Sequence, residues 1–121
     1  MQLRLEDGSA VFKLKLHDNS AARDFAKLLP LAVELRDYAS TELIADLPRA
    51  LDCSDAPTSH RPRAGDITYY RPWGNLALFY RDAPAAAGLV PLGRFTGGAF
   101  TLRADRPQSV VFEPIEDDVT P

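Results

Sequence analysis

Residues 65–79 of the sequence read Gly65-Asp66-Ile67-Thr68-Tyr69-Tyr70-Arg71-Pro72-Trp73-Gly74-Asn75-Leu76-Ala77-Leu78-Phe79. This stretch contains two runs rich in β-branched, aromatic and apolar residues, 67–70 and 76–80, separated by a Pro-Trp-Gly-Asn segment. Residues of these types favour strands, and proline, glycine and asparagine supply the backbone angles of a tight reversal. The stretch therefore predicts a β-hairpin that carries aromatic side chains close to its turn.

The length and the turn-forming residues indicate one mainly β domain. A chain of 121 residues is long enough to bury its own core. Ten prolines and seven glycines divide it into short segments, as a β-barrel with many turns requires. We predict that residues 1–115 form this domain and that residues 116–121 are an acidic C-terminal tail.

The charge balance argues against two classes of partner. The chain has 14 basic and 17 acidic residues, a net charge of −3 at pH 7. Such a chain lacks the electrostatic attraction that nucleic acids and anionic membranes require, and no apolar run reaches the roughly 20 residues of a membrane-spanning helix. We therefore expect no nucleic-acid partner and no membrane insertion. The single cysteine, Cys53, and the lack of an apolar N-terminal signal segment favour the cytoplasm.

The residues before the central stretch predict four further elements. Residues 3–5 and 11–16 alternate apolar and polar side chains around Asp7-Gly8, which is typical of an antiparallel hairpin. Residues 20–29 follow candidate N-caps and place an apolar stripe on a helix that ends at Pro30. Residues 31–36 return to period two and predict a third strand. Residues 41–48, which are irregular and end in proline, predict a short helical turn.

The residues around and after the central stretch predict loops and two more strands. Residues 52–63 are polar and contain proline, and residues 83–88 are small, so both segments are expected to be loops. Residues 89–95 form a strand candidate in which Pro91 predicts a sheet edge or a bulge. Residues 96–98 predict a turn into residues 99–102, and residues 109–112 predict the last strand.

No pattern in the sequence indicates a metal, a cofactor or a catalytic nucleophile. The metal-ligating candidates His17, Cys53 and His60 lack the spacing of a ligand set. Cys53 has no histidine close to it in sequence, no Gly-x-Ser-x-Gly elbow occurs, and the glycines near Arg94 match no phosphate-binding loop. We therefore predict no catalytic residue, no metal site and no cofactor.

The order of several short motifs resembles one family across essentially the whole chain. The motifs are Leu29-Pro30, Leu47-Pro48-Arg49, Gly65-Asp66-Ile67-x-Tyr69, Gly74-Asn75-Leu76-x-Leu78-Phe79 and Leu92-Gly93-Arg94. In this order they resemble the bacterial and archaeal cyclophilin-like domain family. The resemblance implies a mainly β fold, a small closed cyclophilin-like β-barrel with one principal α-helix, and a largely uncharacterised function.

The resemblance departs from true cyclophilins at the residues that catalyse prolyl isomerisation. True cyclophilins carry an arginine in a Phe-His-Arg strand motif and a glutamine beside the pocket phenylalanine. Here the corresponding strand reads Leu-Ala-Val-Glu-Leu-Arg over residues 31–36, and Arg36 would need a register shift to take the catalytic place. Phe79 matches the pocket phenylalanine, and Ala77 stands where the glutamine is expected.

These observations favour a non-catalytic binding module for a peptide or small molecule. The expected cleft is formed by Tyr69, Trp73, Asn75, Phe79 and Arg36. A tryptophan in a turn is often partly exposed and available to a ligand, whereas Phe79 also fits a position in the barrel core. One alternative is a weak peptidyl-prolyl cis-trans isomerase. Another is a structural domain whose edge residues 89–95 pair between the subunits of a homo-oligomer.

Overall fold

The computed structural model describes residues 1–6, 8–96 and 105–114. Within these residues the chain forms one helix and ten strands: β1 (Gln2–Leu5), β2 (Val11–Leu16), α1 (Ser20–Ala26), β3 (Leu31–Tyr38), β4 (Glu42–Asp46), β5 (Ser59–His60), β6 (Asp66–Tyr70), β7 (Asn75–Phe79), β8 (Ala86–Ala87), β9 (Leu89–Phe95) and β10 (Gln108–Glu113). Three features of the sequence-based prediction lie outside the described residues. They are Asp7 in the first turn, the segment 99–102 and the acidic tail 116–121.

Eight of the strands close into an antiparallel barrel in the order β1-β10-β3-β4-β7-β6-β9-β2. The two ends of this order also pair, since Leu3 of β1 lies opposite Phe12 of β2. Alternate side chains point inward and are fully buried, among them Leu3, Leu35, Leu43, Ile67, Leu78 and Phe112. This architecture confirms the predicted fold class, a closed and mainly β barrel with one principal helix.

The central hairpin forms as its sequence predicts. Ile67 of β6 lies opposite Leu78 of β7, and Tyr70 lies opposite Asn75. Gly74 closes the turn with a φ of +65°, in the left-handed region that glycine adopts without steric penalty. Its backbone N–H donates to the Tyr70 carbonyl at 2.8 Å. Every residue of β7 is buried, because one face of the strand lies in the barrel core and the other is covered from outside.

The helix is shorter than its apolar stripe predicts. Asn19 caps it, with Oδ1 accepting from the Ala22 N–H at 2.9 Å and Nδ2 donating to the Pro91 carbonyl at 3.0 Å. After Ala26 the backbone tightens, and the N–H of Leu28 donates to the Phe25 carbonyl three residues earlier. The fully buried Phe25 ring packs edge-to-face against Phe112, so the helix covers the barrel core. No helix among the described residues is long and apolar enough to cross a membrane.

The predicted helical turn at residues 41–48 is wrong, because these residues contain strand β4. Leu43 and Ala45 face the barrel core, and Ile44 belongs to an apolar cluster on the outer face. A strand covered on both faces shows no alternation of apolar and polar residues. The preceding turn also lacks a sequence signal, since Ala39 and Ser40 adopt φ values of +55° and +51° that glycine or asparagine usually take.

Of the two alternatives predicted for residues 89–95, the structure confirms the β-bulge, and the sheet edge is wrong. Strand β9 lies between β6 and β2 within the closed barrel. Thr68 pairs with Pro91 while Ile67 pairs with Gly93, so Leu92 is the extra residue of a bulge beside a proline that has no N–H to donate. The two predicted loops also contain short strands, and β5 and β8 pair through His60 and Ala86.

Candidate functional site

A second apolar cluster lies on the outer face of the barrel. Its buried members are Ile44, Ala77, Phe79 and Leu89, which project from β4, β7 and β9 on the side opposite the core. Two loops pack beside it and are joined by the β5–β8 pair and by backbone bonds. The Gly88 N–H donates to the Thr58 carbonyl at 2.8 Å, and the Ala83 N–H donates to the Pro62 carbonyl at 3.1 Å.

These elements enclose a cleft with a cavity of about 320 Å³. The apolar cluster of Ile44, Ala77, Phe79 and Leu89 forms its floor. One wall comes from the two loops and consists of Pro62, Ala83, Pro84 and Ala86. The other wall comes from strand ends and turns and consists of Tyr38, Ala39, Thr41, Glu42, Tyr70, Trp73 and Asn75. We call this the outer cleft.

Three aromatic rings form a continuous bridge along the outer cleft. Trp73 packs edge-to-face against Tyr38, with ring centroids 5.3 Å apart, and against Tyr70 at 5.4 Å. Tyr38 lies on β3 and Tyr70 on β6, and these strands flank β4 and β7 in the barrel. The Trp73 ring therefore connects side chains from both sides of the floor. It is 55% exposed, although it is the largest apolar side chain in the molecule.

Asn75 gives the outer cleft a polar group without a partner. The residue is 4% exposed and lines the cleft at the start of β7. Its Oδ1 is buried and accepts no hydrogen bond from any residue that the structure describes. An unsatisfied buried acceptor is uncommon in folded proteins and costs free energy, because the water that it loses on folding is not replaced.

Glu42 gives the outer cleft a negative charge. Burial, and to a smaller extent the nearby Asp37 carboxylate, raises the pKa of Glu42. Within the described part of the chain its carboxylate has neither an ion pair nor a side-chain hydrogen bond. Asp37 instead accepts a hydrogen bond from the Tyr80 hydroxyl, and burial together with this bond raises the pKa of Tyr80 to about 12. None of the described residues that line the cleft is basic.

The structure brings together three of the five residues predicted from the sequence. Trp73, Asn75 and Phe79 line the outer cleft, with Phe79 in its floor. Tyr69 points to the opposite face of β6, where it is 2% exposed in the barrel core and its hydroxyl accepts from the Leu51 N–H at 3.3 Å. Arg36 is exposed on β3 opposite Ile44 but does not line the cleft.

Several other lining residues have no signal in the sequence. Glu42 and Ile44 belong to the strand that was predicted as a helical turn. The loop wall depends on the pairing of β5 with β8, which are more than 20 residues apart in the chain. Tyr38 and Tyr70 had a usable signal, since each is an aromatic residue at a strand end next to a turn.

A separate polar cluster explains the Gly65-Asp66 and Gly93-Arg94 motifs. The Asp66 side chain is 4% exposed and accepts from Arg94 Nη1, from His60 Nε2 at 2.9 Å and from the Arg63 N–H at 2.8 Å. Arg94 Nη2 also donates to the Ala64 carbonyl at 3.1 Å. We call these side chains the Asp66 cluster. No group of three or more His, Cys, Asp or Glu side chains in the described residues is arranged to hold a metal ion.

Comparisons with known proteins identify the family. The model of the cyclophilin-like family matches residues 5–113. The solution structure of a hypothetical protein from Archaeoglobus fulgidus is similar to this chain, with a TM-score of 0.63 and 20% sequence identity over 93% of this chain and 91% of that chain. At this identity the likeness shows the fold alone. None of the curated proteins that were compared matches the chain. Because the family match covers most of its length, the chain belongs to the cyclophilin-like family.

Proposed function

We propose that this protein is a non-catalytic binding module for a peptide or small molecule, and that the outer cleft is its binding site. The observation that carries the proposal is a cavity of about 320 Å³ with an apolar floor and an exposed tryptophan in its wall. Small-molecule sites are concave, mostly apolar and provided with a few polar groups, and their volumes begin at about 300 Å³. The outer cleft fits this description.

The lining of the outer cleft favours binding over prolyl isomerisation. An isomerase needs a cationic donor to the prolyl nitrogen as the amide twists. The described lining residues provide a carboxylate, Glu42, and no basic group, and the resemblance to cyclophilins implies that Ala77 stands where their glutamine would be. An apolar cleft of this kind stabilises the planar and the twisted amide about equally, so it can bind a proline ring without accelerating its isomerisation.

The structure removes the reason for proposing a structural domain that pairs between subunits. That alternative depended on residues 89–95 being a free edge, and β9 is paired with both β6 and β2. We propose a bacterial cytoplasm as the location of a protein with this single thiol. Burial raises the pKa of Cys53, which keeps the thiol protonated and unreactive.

Trp73 makes the proposal directly testable. It is the only tryptophan of the chain, so the change of its fluorescence on ligand addition reports on the outer cleft alone. We would screen small organic molecules and short proline-containing peptides by this signal, and map each hit by its effect on backbone amide resonances. Hits are expected to shift the signals of floor residues such as Ala77 and Phe79.

Two alanine variants test whether the cleft is the site. Trp73→Ala removes an exposed ring of the bridge and is expected to weaken binding of the hits. Val11→Ala is the matched control, since Val11 is 51% exposed on β2 and does not line the cleft. Calorimetry measures both variants without relying on fluorescence. Hits that map to another face, or that bind Trp73→Ala as well as the natural protein, would contradict the proposal.

A further inference from the structure

We propose that the outer cleft selects a small organic cation, in which an ammonium or guanidinium group pairs with Glu42 and an apolar chain lies on the floor. This inference rests on the proposed function and names its ligand class. Three features of the cleft support it independently: its charge, its aromatic rings and its unpartnered acceptor.

The described residues that line the outer cleft carry a negative charge and no positive one. Of the described lining residues, Glu42 has the one carboxyl group, and none is basic. The neighbouring Asp37 carboxylate adds a second negative charge, while the Tyr80 hydroxyl that contacts Asp37 is neutral. Partial burial strengthens Coulomb attraction relative to bulk water. A ligand cation would therefore meet an attractive potential that no protein cation in the lining cancels.

The aromatic bridge favours the same ligand. The faces of tryptophan and tyrosine rings are electron-rich and attract ammonium and guanidinium groups that lie over them. Tyr38 lies directly opposite Glu42 in the β3–β4 pairing, so the two residues are neighbours on the same face of the sheet. Trp73 packs on Tyr38 and extends this surface. A cation at Glu42 would thus contact a carboxylate and aromatic rings together.

Asn75 marks the other end of the outer cleft and calls for a hydrogen-bond donor. Glu42 pairs with Phe79, and Phe79 is four residues from Asn75 on β7, a separation of about 13 Å between Cα atoms. The Ala77 side chain lies between them on the same face. An elongated ligand can place a cation at Glu42, its apolar chain over Ala77 and an N–H group at Asn75. Since Oδ1 is shielded from solvent, the donor reaches it only when a lining side chain moves, and Trp73 is the candidate because it is 55% exposed.

The closed barrel favours a free small molecule over a peptide. Extended peptides commonly bind by adding a strand to a sheet edge. In the barrel of the described residues each strand is paired on both sides, including β4 and β7 beneath the cleft. A peptide therefore cannot bind by adding a strand to the barrel. We therefore assign the site to a small cation and treat a basic peptide side chain as the competing outcome.

The test compares probes that differ in one property each. Butylguanidinium carries the cation and butylurea is its neutral analogue of nearly the same shape, so their ratio of affinities measures selection for charge. 4-Hydroxybutylguanidinium adds a neutral O–H donor at the far end of the same butyl chain, opposite Asn75. The peptide acetyl-Ala-Arg-Ala-amide presents the guanidinium on a backbone. Calorimetry gives the dissociation constants, and the fluorescence of Trp73 confirms that each probe binds in the cleft.

We expect butylguanidinium to bind about tenfold more tightly than butylurea, as a charge-assisted hydrogen bond would allow. Glu42→Gln should remove this difference in affinity. Glu34→Gln should preserve it, because this substitution removes the same charge from a residue that is exposed on β3 and does not line the cleft. 4-Hydroxybutylguanidinium should bind more tightly than butylguanidinium, and Asn75→Ala should remove that gain. Circular dichroism confirms that each variant is folded.

The opposite results separate this inference from the proposed function. Equal binding of butylguanidinium and butylurea in the cleft would overturn the selection for a cation and leave the binding module intact. Retention of the charge preference in Glu42→Gln would overturn the role of Glu42. Tighter binding of the peptide than of both free cations would overturn the small-molecule assignment. If no probe of either charge binds, the outer cleft is not a site for such ligands, and both proposals fail.

Discussion

Buried polar groups occur in two regions on the outer side of the barrel. The Asp66 cluster lies at one end of strand β6, and the outer cleft lies beside Tyr70 at the other end. In the Asp66 cluster, the buried carboxylate accepts from one arginine, one histidine and one backbone N–H. In the outer cleft, Asn75 Oδ1 and the Glu42 carboxylate have no such partners among the described residues. Saturated polar groups stabilise a fold, whereas unsatisfied ones persist where something else uses them.

This difference separates two roles within the family motifs. Asp66 and Arg94 belong to the motifs that resemble the cyclophilin-like family, and they join β6 to β9, where they lie opposite each other. Their contacts are all made within the protein, so they are expected to matter for stability. Glu42 and Asn75 are expected to matter for binding. Substitutions of saturated and of unpartnered carboxylates should therefore affect the stability of the fold differently.

Asp66→Ala should be the most destabilising of these changes. It removes the buried carboxylate that accepts from Arg94, His60 and the Arg63 N–H, and hydrogen bonds to a charged group are typically worth about 1.5–3 kcal/mol each, so the three together should outweigh any other single change. Urea unfolding followed by circular dichroism measures the loss. Asp46→Ala is the matched control, since Asp46 is exposed on β4 and a surface change of this kind stays within about 0.5 kcal/mol. Similar losses in both variants would mean that the Asp66 cluster does not stabilise the barrel.

Asp24 extends the comparison to a second saturated carboxylate and to pH. It accepts from Arg49 Nη1 at 2.7 Å, from Arg49 Nη2 at 2.9 Å and from the Asp52 N–H at 2.8 Å. The Arg49 bond, and then the Asp52 bond, lower the pKa of Asp24 from 3.8 to about 2. The stability that these bonds give is therefore present above pH 3.8 and is lost as the pH falls towards 2.

Asp24→Asn should lose about 1.5–3 kcal/mol of unfolding free energy at neutral pH, the value of hydrogen bonds to a charged group. The difference from the natural protein should shrink as the pH falls from about 4 to 2, because Asp24 of the natural protein becomes protonated there. Urea unfolding at a series of pH values measures both effects. A difference that stays constant over this range would exclude the charged Asp24–Arg49 pair as its source.

Glu42→Gln should change the free energy of unfolding in the opposite direction, and by a smaller amount. The pKa of Glu42 is raised on folding, so this residue favours the folded state below its ordinary pKa and loses that contribution as the pH rises through the folded value. At neutral pH the neutral glutamine should therefore be the more stable, by less than about 1 kcal/mol. Thermal unfolding at neutral pH and at pH 4 tests this, with Glu34→Gln as control. A loss of stability at neutral pH would mean that the Glu42 carboxylate has a stabilising partner.

The smallest expected effect is on prolyl isomerisation. A protease-coupled assay with a proline-containing peptide should give the uncatalysed rate, because no basic residue lines the described cleft. Losing one transition-state donor typically lowers an enzyme's rate by about a hundred- to a thousandfold, and the sequence resemblance implies that both polar partners of a true cyclophilin are replaced here. Arg36→Ala should leave the rate unchanged. A rate comparable to that of a true cyclophilin, abolished by Arg36→Ala, would place Arg36 in the catalytic role.

The sequence predicts those parts of the fold that local signals determine. The central hairpin, the Asn19 cap and the first hairpin each depend on turn or capping residues next to an alternating or periodic run. Strand β4 is the exception, because it is covered on both faces and follows a turn at Ala39 and Ser40 that has no glycine or asparagine. Covered faces and unmarked turns leave no pattern for the sequence to show.

The same reasons explain which site residues the sequence could predict. Trp73, Asn75 and Phe79 lie on one hairpin, so their proximity follows from local structure. The sequence predicts Tyr69 in the cleft, whereas the structure places Tyr70 there. Tyr69 and Tyr70 are both aromatic, and β6 is buried on both faces except at its last residue, so no alternation shows which of the two tyrosines points outward. Glu42 and the loop wall reach the cleft through pairings between distant segments, which no short motif records.

The burial of β7 on both faces has a consequence for how this protein can change over evolutionary time. The strand presents Leu76 and Leu78 to the barrel core and Ala77 and Phe79 to the floor of the cleft. A substitution that reshapes the floor therefore disturbs the packing that folds the barrel. The wall residues Pro84 and Ala86 lie in the segment that connects β7 to β9 outside the barrel, where substitutions are better tolerated. Relatives with the same barrel should differ in ligand through their walls, and a library that varies only the walls should yield new binders without losing folded protein.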